Sequence, residues 1–151
     1  MRVSAKADYA VRAAAELAAV EDGPVKGEKL ADAQDIPLQF LEHILLELKH
    51  AGLVRARRGA KGGYWLARPA DQISLADVIR AVEGPLANVQ QAPPESLQYR
   101  GHAEHLQDVW IAVRASLRAV LETTTLADVT NGKLPRAVKR LASSPDAWEH
   151  R

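Results

Sequence analysis

The apolar positions that organise this chain lie between residues 35 and 52, where they recur at helical spacing. They predict a helix that starts at Pro37, a residue suited to the first helical position, and ends at Gly52. The buried face of this helix is predicted to consist of Leu41, Ile44, Leu45 and Leu48. The opposite face is predicted to present polar side chains, namely Gln39 and His43, with Glu42 at its edge.

The periodicity changes to that of β-strands after this helix. Val54 to Arg57 alternates apolar and basic residues, and residues 64–66 are predicted to form a returning strand. The turn between the strands contains three glycines, Gly59, Gly62 and Gly63. Residues 52–69 include no acidic side chain but five basic ones: Arg55, Arg57, Arg58, Lys61 and Arg68. A helix with a polar outer face beside a cationic hairpin is typical of a winged helix-turn-helix, in which the helix enters the major groove of DNA and the hairpin reaches the backbone or minor groove.

Three further helices are predicted around this unit. They cover residues 4–20 with Ser4 as the N-cap, residues 26–33, and residues 71–82 with Ser74 as an N-cap. Their apolar positions are expected to face inward: Tyr9, Ala13, Leu17 and Val20 in the first helix, Leu30 and Ala31 in the second, and Leu75, Val78, Ile79 and Val82 in the third. Residues 1–84 are therefore predicted to form one winged helix-turn-helix domain.

The C-terminal part is predicted to begin with a loop over residues 85–103, which is polar, contains prolines and loses helical periodicity. A long helix starts near His102 and continues to about Thr123, and the unit 104–135 closes with a short turn capped by Thr125. The apolar residues of this helix follow the steps of a coiled-coil seam: Leu106, Trp110, Val113, Leu117 and Val120. We expect this seam to pair with a second copy of the chain, since the winged-helix core should be complete without it. Residues 136–151 are expected to be a flexible, partly disordered tail.

Composition narrows the function classes. The chain has 151 residues, of which 47% are hydrophobic and 26% charged, and its net charge is only +1, so a nucleic-acid hypothesis depends on the local charge of the hairpin. It has no cysteine, which excludes disulfides, thiolate metal sites and cysteine nucleophiles. Since it also lacks a long apolar span and a signal peptide, we expect a cytoplasmic, nucleoid-associated protein without membrane contact.

Five stretches resemble the Rrf2 family of bacterial transcription regulators, which includes IscR and NsrR. They are SAKADYAVRAAAELA, IPLQFLEHILLELKHAGLV, RRGAKGGYWLARP, ISLADVIRAVEGP and VWIAVRASLRAVLETTTLADV, and they run from Met1 to about Pro135. The resemblance implies a homodimer of winged-helix domains that binds double-stranded DNA at a two-fold-related operator. We expect this regulator to act as a repressor.

The resemblance also implies where DNA is contacted. It assigns base contacts to Gln39, Glu42 and His43, and a minor-groove contact to Arg58 of the wing. Phosphate contacts are predicted for Arg2, Lys6, Arg55, Arg57 and Lys61. Where the family often has a serine, this chain has Pro37, so one polar contact is missing.

Many members of the family bind an iron–sulfur cluster through three cysteines in the loop before the long helix. Ligation by thiolate is impossible here, and we expect no cofactor. Nitrogen and oxygen ligands are available in principle: His102, His105, Asp8, Glu104 and Asp108. The His-x-x-His spacing would place both imidazoles on one helical face, but solvated residues at a helix start are the favoured reading, since zinc normally needs further ligands. The signal is then expected to be a small molecule or a regulatory partner protein.

Two other function classes are weighed against DNA binding. A winged helix can bind protein instead of DNA, and the low net charge agrees with that alternative, whereas the acid-free hairpin argues against it. An enzyme is not expected, because the chain has no cysteine, no HExxH sequence and no phosphate-binding glycine loop of the required spacing.

Overall fold

The computed structural model describes all 151 residues, and it confirms a mainly helical fold with one two-stranded antiparallel sheet. The elements follow in the order α1 (Ala5–Ala18), α2 (Gly27–Gln34), α3 (Leu38–His50), β1 (Val54–Arg57), β2 (Gly63–Leu66), α4 (Leu75–Glu83), α5 (Leu106–Leu121), α6 (Leu126–Thr130) and α7 (Arg136–Ala142). None of the helices combines the length and apolar character needed to cross a membrane.

Helix α1 begins after Ser4, whose Oγ accepts a hydrogen bond from the backbone N–H of Ala7 at 3.0 Å, as predicted for an N-cap. Its inner face is built mainly from alanines, which let neighbouring helices approach closely: Ala7, Ala10, Ala13, Ala14 and Leu17 are buried. Tyr9 is half-buried and packs against the core. The prediction was wrong for Val20, which is exposed because the helix ends before it.

Helices α2 and α3 form the helix-turn-helix, joined by Asp35 in the left-handed conformation. Leu30 and Ala31 are buried as predicted. Pro37 is the N-cap of α3, and the first helical residue is Leu38, so the predicted start is one residue early. The buried face of α3 is confirmed, with all four predicted residues completely inaccessible: Leu41, Ile44, Leu45 and Leu48.

The wing is the hairpin of β1 and β2, in which Val54 pairs with Leu66 and Arg57 pairs with Gly63. A third segment joins it, because Val25 and Tyr64 exchange two backbone hydrogen bonds of 2.8 Å each. This close approach needs glycine: a Cβ on Gly63 would lie 2.5 Å from the carbonyl oxygen of Val25. The hairpin is therefore fastened to the link between α1 and α2.

Helix α4 starts at Leu75, later than the predicted residue 71, because residues 70–72 form a separate 3-10 turn. Ser74 and Asp77 form a reciprocal capping box, which confirms the predicted cap and fixes this start. The buried positions are Ala76, Val78 and Val82, whereas the predicted inward residues Leu75 and Ile79 are half-buried.

Helix α6 returns the C-terminal part of the chain to the winged-helix domain. Thr125 and Asp128 cap it with a second capping box, and Leu126 is completely buried in the same core as α1, α3 and α4. Backbone hydrogen bonds of 2.9 Å join Leu75 to Thr124 and Leu126 to Ile73. The core formed by residues 1–84 thus also includes Leu126 of the terminal turn, whereas the long helix α5 contributes no buried residue to it.

The tail contains regular structure where disorder was expected. Helix α7 covers Arg136–Ala142, and a 3-10 turn covers Pro145–Trp148. The indole N–H of Trp148 donates a hydrogen bond to the carbonyl of Ala142, which joins the two pieces. No side chain of α7 or of this turn is buried, so the tail is folded locally and lies on the surface.

Candidate nucleic-acid interface

The outer face of α3 presents three polar side chains to solvent. Gln39, Glu42 and His43 are exposed, while the opposite side of the helix is held in the core. Their spacing of three and four residues places them beside one another within about one turn. Two apolar side chains flank them: Phe40, 41% exposed, packs edge-on against Tyr9 at 5.6 Å, and Leu46 is 47% exposed. This face therefore offers hydrogen-bonding groups of the kind that contact base edges in a major groove.

The wing carries its positive charge on the surface. Arg55 and Arg57 alternate with the buried Val54 and so project from the outer face of β1. Arg57 also donates a hydrogen bond from Nη2 to the carbonyl of Lys61 at 2.9 Å, which braces the turn. Arg58, at the tip, is exposed and makes neither a side-chain hydrogen bond nor an ion pair within the chain. Its guanidinium is therefore available to a ligand.

Lys26 holds the tip of the wing, a role that the sequence did not predict. Its Nζ donates a hydrogen bond of 2.6 Å to the carbonyl of Gly59, at the start of the turn. Together with the pairing of Val25 and Tyr64, this contact fixes the tip relative to the helix-turn-helix. One sequence signal pointed to the attachment: the turn contains two adjacent glycines, Gly62 and Gly63, more than a hairpin turn requires. Both are buried, and a Cβ on Gly62 would lie 1.9 Å from the carbonyl oxygen of Arg57.

A cleft of about 490 Å³ separates α3 from the wing, and its walls carry mixed charge. Glu42 and Leu46 line one side, and Arg58 and Tyr64 line the other. Burial raises the pKa of the Tyr64 hydroxyl, and the carboxylates of Glu42 and Glu28 raise it further. The phenol therefore keeps its proton at physiological pH and can donate a hydrogen bond. Because a carboxylate repels phosphate, Glu42 is suited to an amino group on a base edge.

Two of the residues predicted to contact phosphate lie apart from the wing. Lys6 forms an ion pair with Glu47 on the flank of α3, with 2.8 Å between Nζ and Oε1, so its charge is already compensated. Arg2 lies beside Leu86 and Leu117, at the end of α1 opposite the wing. Fourteen helical residues separate those ends by about 20 Å. Of the predicted phosphate contacts, Arg55, Arg57 and Lys61 therefore remain on the wing, beside Arg58.

Helix α5 has no fully buried residue, and its predicted seam faces its own domain only in part. The five seam residues are all half-buried: Leu106, Trp110, Val113, Leu117 and Val120. Leu117 lines a cavity together with Ala7 and Ile79, so it already packs within the chain. The neighbouring face remains open and is marked by Val109, which is 51% exposed, and Ala112.

The loop before α5 is tied to that helix by polar side chains. The amide nitrogen of Gln107 donates to the carbonyls of Pro94, Glu95 and Leu97 at 3.2, 3.3 and 2.7 Å. Arg114 forms an ion pair of 2.6 Å with Glu95. A backbone hydrogen bond within Glu95 and this guanidinium lower the pKa of the Glu95 carboxyl. Direct contacts within the chain thus position the loop.

The possible metal site at His102 and His105 was predicted on the assumption that both residues lie on one face of a helix, and the structure does not contain that face. His102 lies in a 3-10 turn and His105 is the N-cap of α5, so the two imidazoles do not share a helix face. No group of three or more histidine, aspartate or glutamate side chains is placed to hold a metal ion. Without cysteine, the donor set also does not fit an iron–sulfur cluster held by thiolates.

Comparison with known proteins agrees with this geometry. Residues 3–132 match the Rrf2 family, which is described as an iron-dependent transcriptional regulator. A Mycobacterium tuberculosis protein assigned as an HTH-type transcriptional regulator, Rv1287, is 53% identical over 150 residues, covering 99% of this chain and 93% of that protein. CymR of Bacillus subtilis, an HTH-type transcriptional regulator, is 33% identical over 132 residues, or 87% of this chain and 91% of CymR.

Solved structures give the same result. The structure of B. subtilis CymR, titled the global cysteine regulator, superposes with a TM-score of 0.74 at 32% identity, covering 87% of this chain and 98% of that one. IscR of T. potens gives 0.69 at 32% identity, covering all of this chain and 93% of that one. These relatives are regulators and not enzymes. The chain belongs to the Rrf2 family and is a winged-helix DNA-binding transcription regulator.

Proposed function

We propose that this chain is a homodimeric repressor that reads a two-fold-related operator, with α3 in the major groove and the wing in the adjacent minor groove. One observation carries the proposal: Arg58 is unpaired at the tip of a wing whose position is fixed relative to α3. The attachment uses the backbone of Val25 and the side chain of Lys26. A fixed tip can present its guanidinium to a narrow, electronegative minor groove while α3 reads bases.

Each polar residue on α3 has a base-edge partner that suits its chemistry. Gln39 can pair with both N6 and N7 of adenine, and His43 can donate to guanine or to a phosphate. Glu42 can accept from the amino group of cytosine, the one major-groove base edge of a G·C pair that offers a donor. Phosphate contacts by Arg55, Arg57 and Lys61 would supply affinity without sequence preference.

Dimerisation through α5 would present two such domains to the operator. The half-buried seam and the open face at Val109 and Ala112 together offer an apolar surface along this helix. A two-fold dimer pairs the same surface of both copies, and its operator then has matching symmetry. Binding to chromosomal DNA would place the protein in the cytoplasm, at the nucleoid.

The regulatory signal is proposed to be a small molecule or a partner protein, since the donor set does not fit a thiolate-held cluster. A cavity of about 400 Å³ lies below the start of the loop, between α4 and α5, and is mostly apolar. Its walls include Ile79, Leu86 and Leu117. A ligand there would contact both the DNA-binding domain and the proposed dimerisation helix.

Selection of bound duplexes from a random pool tests the proposal. The wild-type protein and an Arg58→Ala variant are compared, with Arg68→Ala as a matched control. Arg68 is a basic residue of the same segment, but it lies beyond β2 and near Asp77, with 3.9 Å between the charged groups. We expect a motif with two-fold symmetry from the wild type and the control, and a motif with weakened minor-groove preference from Arg58→Ala. An Arg58→Ala motif identical to that of the wild type would contradict the assignment of the wing, and no enriched motif at all would contradict sequence-specific reading.

A further inference from the structure

The C-terminal tail concentrates positive charge outside the part of the chain that matches the family, which ends at residue 132. Residues 129–145 contain no aspartate or glutamate but four basic residues: Lys133, Arg136, Lys139 and Arg140. The charge of this segment, +4, exceeds the net charge of the whole chain, +1, so the remainder of the protein is slightly negative. The charge is therefore strongly localised, which is the pattern expected of an element that binds a polyanion.

The four cations are free and three of them share one face. All four are exposed, and none takes part in an ion pair or a side-chain hydrogen bond within the chain. Arg136, Lys139 and Arg140 stand at positions i, i+3 and i+4 of α7, so they project from one side of the helix. Lys133 precedes them in the turn before the helix. By contrast Arg151, nearby in the tail, pairs with Asp146 and Glu149 at 3.1 Å each.

The tail is joined to the winged-helix domain through α6. Helix α6 contacts α1 and the turn Ala70–Gln72, which directly follows the wing. The backbone N–H of Lys133 bonds to the carbonyl of Asp128 at 2.9 Å, so the tail leaves directly from α6. Helix α7 buries none of its residues in the domain.

We propose that α7 is a second DNA-binding element, which contacts backbone phosphates beside the operator. The inference rests on the proposed function, because it needs the winged helix to be bound to DNA. Phosphates are the favoured partner because the helix offers three cations and a single exposed large apolar side chain, Leu141. Such contacts add affinity without adding sequence information.

The test measures DNA affinity against salt for a variant in which all four cations are neutralised, K133Q/R136Q/K139Q/R140Q. Glutamine preserves helix propensity, and circular dichroism checks that α7 remains helical. The probe is a duplex with the selected motif and about two helical turns of flanking DNA on each side. Two controls are Arg151→Gln, which removes a paired tail cation, and Leu141→Ser, which removes the exposed apolar side chain.

We expect the neutralised variant to lower the slope of log K against log salt by about 0.9 for each lost contact, and therefore by up to roughly 3.6 per chain. The selected motif should be unchanged, both controls should behave as wild type, and the difference should vanish on a duplex trimmed to the motif. An unchanged slope and affinity on the long duplex would overturn the inference and leave an acidic protein or an anionic lipid surface as the partner of α7. If wild-type protein binds no duplex, the proposed function fails first; if it binds and the variant matches it, only the role of the tail fails.

Discussion

Replacing Gly63 with alanine should detach the wing while leaving the helical core intact. Gly63 has φ of +144°, and a Cβ there would lie 2.5 Å from the carbonyl oxygen and 2.7 Å from the carbonyl carbon of Val25. Both atoms belong to backbone and cannot rotate away. The substitution therefore forces Val25 and Tyr64 apart and breaks the two hydrogen bonds between them.

Gly59 provides a matched control for the magnitude. It also has positive φ, +98°, but a Cβ there would have no atom within 4 Å. Backbone strain of about 1–3 kcal/mol is expected in both variants. Gly63→Ala additionally loses two backbone hydrogen bonds, each contributing about 0.5–1.5 kcal/mol, so it should be less stable than Gly59→Ala by roughly 1–3 kcal/mol.

Urea denaturation followed by circular dichroism gives the free energy of unfolding for both variants. DNA affinity is then measured at a temperature where both are fully folded, so that any loss reports on the wing and not on unfolding. We expect Gly63→Ala to lose affinity and Gly59→Ala to keep most of it. Equal stability of the two variants, with equal DNA affinity, would refute the claim that the contact with Val25 holds the wing in place.

Three further outcomes are expected. Leu126→Ala should lower the free energy of unfolding by about 2–5 kcal/mol in urea denaturation, because the leucine side chain is completely buried in the core that α6 shares with the winged-helix domain. A loss below about 1 kcal/mol would mean that α6 is not part of that core. Gln39→Ala should reduce operator affinity by about 1–3 kcal/mol and relax the sequence preference at one position of each half-site, whereas Arg55→Gln should weaken binding to all sequences alike and lower the salt slope by about 1. Titrations with a set of single-base operator variants distinguish the two effects. The same pattern for both variants would contradict their separate roles. The contacts of Glu95 lower the pKa of its carboxyl in the folded state below the ordinary 4.5, so the stabilising effect of the carboxylate is complete above that pH and is lost as the pH falls through the lowered pKa. NMR signals of the loop amides should report this transition. If the transition persists in Glu95→Gln, it belongs to another group.

Short-range patterns in the sequence predicted helix α3 and the wing well. The periodicity of α3 identified all four of its buried residues, and the absence of acid in residues 52–69 identified the hairpin as a cationic surface. Ser74 and Thr125 were recognised as caps from residue type alone. In each case the relevant partners lie within a few positions along the chain, so the pattern itself contains the interaction.

The features that were missed depend on distant contacts. Val25 and Tyr64 are far apart in sequence, and nothing in the residues near Val25 indicates strand pairing. Leu126 is one apolar residue in a short turn, and only the return of the chain after α5 places it in the core. Helix α7 is seven residues long, too short for hydrophobic periodicity to distinguish it from an irregular tail.

The proposed dimerisation helix α5 is held by the preceding loop at its start and by its own domain after its end, and this attachment affects the spacing of operator half-sites. Gln107 ties its first turn to the preceding loop, and the segment after its last turn pairs with residues 73–75. A dimer formed through such a helix has no flexible hinge between its two DNA-binding domains. One base pair inserted at the centre of the operator moves one half-site by about 3.4 Å and rotates it by about 35°. A rigid dimer cannot follow that rotation, so the distance between half-sites should be as strictly selected as the bases within them.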